Sequence, residues 1–418
     1  CVPHPARLAL RTAVQGGSRY GDFTLSNLSA SSWTGSLTAP SGVVVTPAQV
    51  SLAPGASQTV SVESGTFSPE TATVVVTIGD GCSRVTCLDT GYPRSVCYVS
   101  PAGSDETGDG SSSKPFRSPQ LAVDAVALGG EVIFKTGTYV SPTIVLQRDV
   151  SLRSETGRPQ DVLLSPPFNR RILDCYGLSA RARLSGLTFT GGTTTDDDRG
   201  AGLYMHGCSA QVVNCRFLGN SAAGHAGSLY LHESSPLLEN CEFRSSSAGG
   251  GGGMYIDGSS NPSIRYCVFA ACSASDGGAI LGAHTGMPAI TNCTFYNNWG
   301  AMGGAAVWGG GYAMDNCIVA FNQGMDTWAP VINGSNVTLS CCDVFGNTPA
   351  DYDGGISGQL GTRGNISLDP LFANAESGDL RLLSGSPCLA HAPAHPDCGL
   401  AGALPLSSTV AAGAPANL

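Results

Sequence analysis

Between residues 200 and 320 the apolar positions recur with two superposed periods. The short one is two residues, the alternation of a strand with one face turned to a core. The long one is 24–26 residues, the spacing of Cys215, Cys241, Cys267, Cys293 and Cys317. It is carried by Val213-Asn-Cys-Arg-Phe217, Glu239-Asn-Cys-Glu-Phe243, Arg265-Tyr-Cys-Val-Phe269, Thr291-Asn-Cys-Thr-Phe295 and Asp315-Asn-Cys-Ile-Val319. A second series runs in phase: Gly202-Leu-Tyr-Met205, Ser228-Leu-Tyr-Leu231, Gly253-Met-Tyr-Ile256, Gly278-Ala-Ile-Leu281 and Ala305-Ala-Val-Trp308. Two strands per repeat, joined by Gly, Ser and Asn turns with no helical period between them, predict one coil of a β-solenoid per repeat. About nine or ten rungs are expected.

Strand parity sorts the side chains. In the first series the inward columns are Val212, Leu238, Ile264, Ile290 and Met314, then the five cysteines, then Phe217, Phe243, Phe269 and Phe295 closed by Val319. Asn214, Asn240, Asn292 and Asn316 fall at one turn, where Asn tolerates the left-handed conformation. Their amides are expected to hydrogen-bond up the stack, with Tyr266 interrupting it. The cysteine column Cys215, Cys241, Cys267, Cys293, Cys317 admits three readings. A metal site needs converging ligands, whereas a stack at ~4.8 Å is linear. Bridges between adjacent rungs are geometrically allowed. Buried free thiols acting as small hydrophobes are the preferred reading.

In the second series Met205, Leu231, Ile256 and Leu281 take the inward parity. Tyr204, Tyr230 and Tyr255 then point outward, as do His206, His232 and Asp257. Three successive rungs present a tyrosine column beside a His-His-Asp column, with Asp196-Asp-Asp-Arg199 and His225 on the turns that lead in. Such a face suits a sugar, through ring stacking and hydroxyl hydrogen bonds. It also suits a divalent metal, through two imidazoles and a carboxylate, or a general base. The plainer alternative is a solvated sheet face with tyrosines paired for packing.

The flanks differ from the repeat. Residues 1–90 contain short Val/Thr-rich runs such as Ala72-Thr-Val-Val-Val-Thr-Ile78, separated by turns such as Ala53-Pro-Gly-Ala56, and predict a β-sandwich. Residues 91–404 form the solenoid. A capping helix is expected near 118–128, with Ser118 as N-cap, Pro119 at its first position and Gly129-Gly130 as its stop. Asp105 and Asp109 belong to a turn that can also hold calcium. Cys388 and Cys398 flank a loop that looks stapled by a disulfide. Residues 405–418 are uncharged and strand-prone, and are expected to dock as a strand on the same chain or on another copy.

Composition narrows the function classes. Among 418 residues only 12% are charged, 31 acidic against 21 basic, for a net charge of −10. The lysines are Lys114 and Lys135 alone, and no basic run exists, which argues against a nucleic-acid partner. No apolar run approaches the ~20 residues of a membrane-spanning helix. Sixteen cysteines and a first residue Cys1 suggest export, with Cys1 either acylated or disulfide-bonded. No cofactor is expected.

Three resemblances follow from the residues already quoted. Tyr20 to Ile78, with its Asn27-Leu-Ser turn and Leu52-Ala-Pro-Gly-Ala-Ser-Gln-Thr-Val-Ser-Val62, resembles the immunoglobulin-like modules of bacterial surface proteins. The resemblance implies a Cys1–Cys82 bridge. Phe-x-x-Asn (Phe217 to Asn220, Phe295 to Asn298) with Gly277-Gly-Ala-Ile280 resembles the repeats of polymorphic outer-membrane proteins. It also resembles the secreted right-handed parallel β-helix proteins at large. Leu368-Asp-Pro-Leu-Phe372, Gly378-Asp-Leu-Arg-Leu382 and Gly385-Ser-Pro-Cys388 resemble that family's closing rung. The fold hosts lyases, hydrolases, adhesins and structural proteins. The pectin-hydrolase motifs of the fold, such as Gly-His-Gly, are missing, since Gly224-His-Ala226 is only a fragment. The expectation is therefore an all-β, extracellular or cell-surface, structural or adhesive protein, more an assembly than an enzyme. Its partners are other copies of itself and glycans. The alternative is a polysaccharide-binding or polysaccharide-cleaving β-helix.

Overall fold

The computed structural model describes residues 2–4, 7–12, 19–27, 31–38, 43–64, 72–78, 84–89, 94–195, 199–325 and 330–403. The chain divides into two compact units, Cys1–Gly137 with Asp149–Glu155, and Thr138–Arg148 with Thr156–Leu418.

The first unit begins with short antiparallel pairings. Arg19–Ser26 and Val43–Thr46 both pair with Ser57–Ser64. Trp33–Thr38 pairs with Gln49–Leu52, and Ala72–Ile78 with Arg84–Asp89. Leu25, Leu37, Val50, Leu52, Val60 and Val62 are buried, as the period-two alternation requires. The turn expected at Asn27 is held from inside: its buried amide donates to the carbonyls of Ser31 and Leu52. Cys1 and Cys82 lie outside the described residues, as do Asp196–Asp198 and 405–418.

Later in this unit Arg94–Val99, Val126–Phe134 and Ser151–Ser154 pair in parallel. The helix expected over 118–128 is shorter, Pro119–Ala125, and buries Leu121, Ala122, Val123 and Ala125. Val126 is already extended, and Gly129-Gly130 sit inside the strand that it opens. Ser118 does not cap the helix with its side chain. Asp105 Oδ1 takes the amides of Arg117 and Ser118 at 2.9 Å each, and Asp109 takes the amide of Ser111 at 2.8 Å. Both carboxylates thus shape their turns.

The second unit is a parallel β-helix. The sequence led us to expect two strands per coil, but the middle coils have four. Seven strands from Arg183–Ser185 to Asn336–Ser340 stack in one sheet, and nine from Gly137–Val140 to Asp343–Phe345 in a second. Eight, from Ile144–Leu146 to Ile332–Asn333, form a third. A fourth holds six short strands from Thr193–Thr194 to Gln323–Gly324. The fourth sheet's strands, such as Ser247–Gly250 and Ser273–Asp276, are built of small and polar residues without apolar alternation and so read as turns. The left-handed residue at Asn214 and its equivalents splits the first series into two strands.

Inside, Phe217, Phe243, Phe269 and Phe295 are fully buried, with centroids 4.7–5.0 Å apart and planes within 1–4°. Phe189 adds a further ring below Phe217, at 4.9 Å. Burial of each ring contributes roughly 1.5–3 kcal/mol. Cys215, Cys241, Cys267, Cys293 and Cys317 are buried free thiols, and Cys342 follows Cys317 at the next rung. No rung-to-rung bridge joins them. Burial pushes the Cys215 thiol up to about 12.

The asparagine ladder is not where the turn residues suggested. Asn214, Asn240, Asn292 and Asn316 do take φ of 51–52°, but Asn214 donates to Gly157, Asn292 to Leu400 and Asn316 to Asp315. A left-handed turn residue aims its side chain away from the stack. The ladder runs through the Phe-x-x-Asn position, which points inward: Asn298 Nδ2 donates to Asn322 at 2.8 Å and Asn322 Nδ2 to Asn347 at 3.0 Å.

Two further expectations are corrected. Cys398 pairs with Cys341, Cα atoms 5.5 Å apart, not with Cys388. Cys388 is a buried thiol that donates to Asp343 Oδ2 at 3.0 Å. The segment read as a closing rung instead lies along the flank of the second sheet. Its antiparallel pair Phe372–Asn374 and Asp379–Leu382 brings Leu380 onto Val268 and Ala270, and Leu382 onto Ile318 and Ala320. These four residues face outward from their strands and are apolar, so they need a cover.

Candidate functional site

The third sheet carries the outward face. Leu203, Leu229 and Met254 lie in register, as do Met205, Leu231 and Ile256, and all six are buried. These inward anchors fix the intervening residues outward. Register places Asp174, Tyr204, Tyr230, Tyr255 and Leu281 in one column, and Tyr176, His206, His232, Asp257 and Ala283 in the next. Leu281 was expected to point inward. The strand is offset by one residue from the motif alignment, so Ile280 faces the core and Leu281 continues the tyrosine column. Asp174, Tyr176 and Arg171 were missed because this rung precedes the next by 30 residues (Leu173 to Leu203), outside the 24–26 period.

The tyrosines stack on one another. Tyr204 and Tyr230 have centroids 5.6 Å apart and Tyr230 and Tyr255 5.0 Å. Tyr230 is only 1% exposed despite its outward parity. Its faces are taken by its neighbours, and Arg199 lies 5.3 Å from its ring centroid. Arg171 sits likewise 4.8 Å from the Tyr204 ring. A pyranose therefore cannot stack on Tyr230, and the ring-stacking part of the sequence reading does not hold there.

Hydroxyls, carboxylate and imidazoles form a connected row. Arg199 Nη1 donates to the Tyr230 hydroxyl at 2.7 Å, which donates to Asp257 Oδ2 at 2.6 Å. His232 Nδ1 lies 3.2 Å from the same oxygen, and the Gly258 amide donates to Oδ1 at 2.8 Å. Burial alone would raise the Asp257 pKa, but the bonds from Tyr230, His232 and Gly258 outweigh it and hold the carboxyl below its ordinary value. Burial, then the bond to Asp257, pushes the Tyr230 phenol up. Since a carboxylate only accepts, His232 is the donor in this bond, through Nδ1. Tyr204 Oη lies 3.4 Å from His206 Nδ1, and the two imidazoles meet edge to face with centroids 4.9 Å apart. His225 packs on Tyr255, 4.5 Å between centroids, and burial lowers its pKa, with Arg199 adding to the effect.

The strands are pinned from below. Cys208 N donates to Ser234 Oγ and Ser234 N to Ser260 Oγ, both at 2.9 Å, so buried hydroxyls lock the turn after each His or Asp. The row can accept and donate hydrogen bonds over three rungs. His206, His232 and Glu233 also bring three metal-ligating atoms within 4.8 Å of one another. Glu233 was not singled out from the sequence, where it reads as one more turn residue. Among the described residues no helix is long and apolar enough to cross a membrane.

A rhamnogalacturonan lyase shares 12% identity over 66% of this chain and 90% of its own, with a TM-score of 0.37. The pectin methylesterase of Aspergillus niger shares 14% over 65% and 90%, with a TM-score of 0.30. A shorter stretch is similar to SSP-19, an MSP-domain-like protein of Caenorhabditis elegans, at 12% identity over 21% of this chain and 96% of its own, with a TM-score of 0.18. No curated protein matches the sequence. The family described as the right-handed β-helix region matches residues 169–323, the stretch that holds every residue of the outward face.

Proposed function

We propose that this chain is an extracellular β-helix that binds a polysaccharide along the Tyr204–Asp257 face without cleaving it. In this reading the N-terminal antiparallel strands are an immunoglobulin-like module that spaces or displays the solenoid. The observation that carries the proposal is the connected row Arg199–Tyr230–Asp257–His232 beside His206. It is a preformed set of donors and acceptors that spans three rungs, matched to a ligand with several hydroxyls along its length. Side chains already fixed by one another lose little conformational freedom on binding. The same ties argue against catalysis. Asp257 accepts three hydrogen bonds and lies 3.7 Å from Arg199, so it is a weak base.

Titration of the purified protein against neutral and acidic polysaccharides tests this. The expected result is saturable binding, weakened by Arg199→Ala and His206→Ala, with no new reducing ends or unsaturated products. Turnover that His232→Ala abolishes would replace the binding reading with a lyase or hydrolase. Strand donation by 405–418 to a second copy is a separate proposal. Light scattering before and after removal of that segment tests it, and a monomer in both cases overturns it.

A further inference from the structure

On four successive rungs, from Tyr176 to Asp257, the turn that ends the strand of the outward face contains one residue out of pattern. Gly177, Gly207 and Gly258 occupy it on three rungs, with φ of 63°, 62° and 66°. Between Gly207 and Gly258 the position is Glu233, with φ of 48°. Glycine enters this region freely, and Asn is helped by its short amide. A glutamate has neither advantage there. The position is set by the fold, so the carboxylate has been placed at a cost to the turn.

Its neighbours are the two imidazoles. Ligating atoms of His206, His232 and Glu233 all lie within 4.8 Å of one another, and the three side chains reach solvent. We propose that they form a binding site for a divalent transition-metal ion, zinc by ligand chemistry, with Asp257 as the positioning residue of His232. Two imidazole nitrogens and one carboxylate oxygen suit zinc and disfavour calcium and magnesium, which take oxygen ligands. Three protein ligands leave a fourth position open to solvent or to a ligand oxygen.

The surroundings supply what such a site needs. Asp257 accepts from His232 Nδ1, which holds the ring and leaves Nε2 as the nitrogen available to a metal. Asp257 is itself held by Tyr230 at 2.6 Å and Gly258 at 2.8 Å. The backbone beyond Glu233 is clamped by Ser234 Oγ, which donates to the carbonyl of His232 at 2.8 Å. Zinc bonds of 2.0–2.1 Å set neighbouring ligand atoms roughly 3.3 Å apart. Rotation of the accessible Glu233 and His206 side chains closes that gap, while His232 stays fixed. The Arg199 guanidinium faces Tyr230 and Asp257.

The full chain, stripped with a chelator, is titrated with zinc chloride by calorimetry and with cobalt(II) by visible absorption, without glycan. One equivalent should bind. His206→Ala, His232→Ala and Glu233→Gln should each weaken it at least tenfold, and Asp257→Asn by about ten- to a hundredfold. Glu233→Gly separates site from fold: it restores the residue of the neighbouring turns, so it should melt no lower than the parent without metal while losing the metal. Three results would overturn the proposal. These are no binding at millimolar zinc, binding that Glu233→Gly and His206→Ala leave unchanged, or a cobalt spectrum with the charge-transfer band of thiolate ligands.

Discussion

Phe217, Phe243, Phe269 and Phe295 run up the inside of the solenoid, and Tyr204, Tyr230 and Tyr255 run up the outside of the third sheet. Both ladders repeat at the rung spacing. The phenylalanine planes stay within 1–4° of parallel, whereas the tyrosine pairs vary, 25° between Tyr204 and Tyr230 and 5° between Tyr230 and Tyr255. The inner column has one job, to fill a closed space, and every rung solves it in the same way. The outer column is shared with Arg171, Arg199, Asp257 and two imidazoles, and each rung differs. Uniformity marks the part of the repeat that builds the solenoid. Departure from uniformity marks the part available for chemistry, and Glu233 among glycines is its clearest instance.

The comparison can be broken most directly by truncating one ring of each ladder. Phe243→Ala should destabilise the protein by about 4 kcal/mol, because it removes a buried ring and leaves a cavity between two others. Tyr255→Ala, at a half-buried position of the outer ladder, should cost well under half as much. Guanidinium midpoints followed by fluorescence and circular dichroism measure both. Equal losses would mean that the outer ladder also holds the fold.

Two outward-facing aspartates, one covered and one open, show the effect of burial through pH. Asp343 is in register with outward-facing Ile318 and is buried beneath the segment that flanks the second sheet; burial raises its carboxyl to about 7 against the pull of hydrogen bonds from Cys388 and the Leu368 amide. Its folded pKa exceeds its unfolded one, so the folded state binds the extra proton between them. Stability from this group is full below about pH 4 and falls as pH rises to about 7, by up to about 4 kcal/mol at ~1.4 kcal/mol per unit. Asp343→Asn should flatten that slope in melts between pH 4 and 8. Asp257, the open one, has the opposite sign: its lowered pKa contributes stability above the ordinary carboxylate range and loses it as pH falls through the folded value.

Smaller effects test the outer row itself. Tyr230→Phe removes the hydroxyl between Arg199 and Asp257 and should cost about 1–2 kcal/mol, with a rise in the Asp257 pKa visible by NMR titration. The smallest expected change is a gain. Tyr266 holds φ of 54° at the turn where its neighbours are Asn240 and Asn292, so Tyr266→Asn should stabilise by about 0.5–1 kcal/mol in the same guanidinium assay.

The repeat was legible because solenoid rungs obey one local rule many times over. Parity along each strand and a 24–26 residue step were enough to place the phenylalanine and cysteine columns inside, and His206, His232 and Asp257 side by side. Strands of the fourth sheet were not legible, since Thr193–Thr194 or Ser247–Gly250 has no apolar alternation. Neither was the Cys341–Cys398 bridge, whose partners are 57 residues apart and meet only because the last segment folds back along the flank. By itself the sequence determined the all-β solenoid, its period and which side chains share a column, because those follow from alternation and repetition along the chain. Only the tertiary structure decided that Tyr230 is covered, that Asp257 ties it to His232, and that Glu233 stands with two imidazoles. Those depend on distances between neighbouring rungs and on turns whose backbone angles leave no mark in composition.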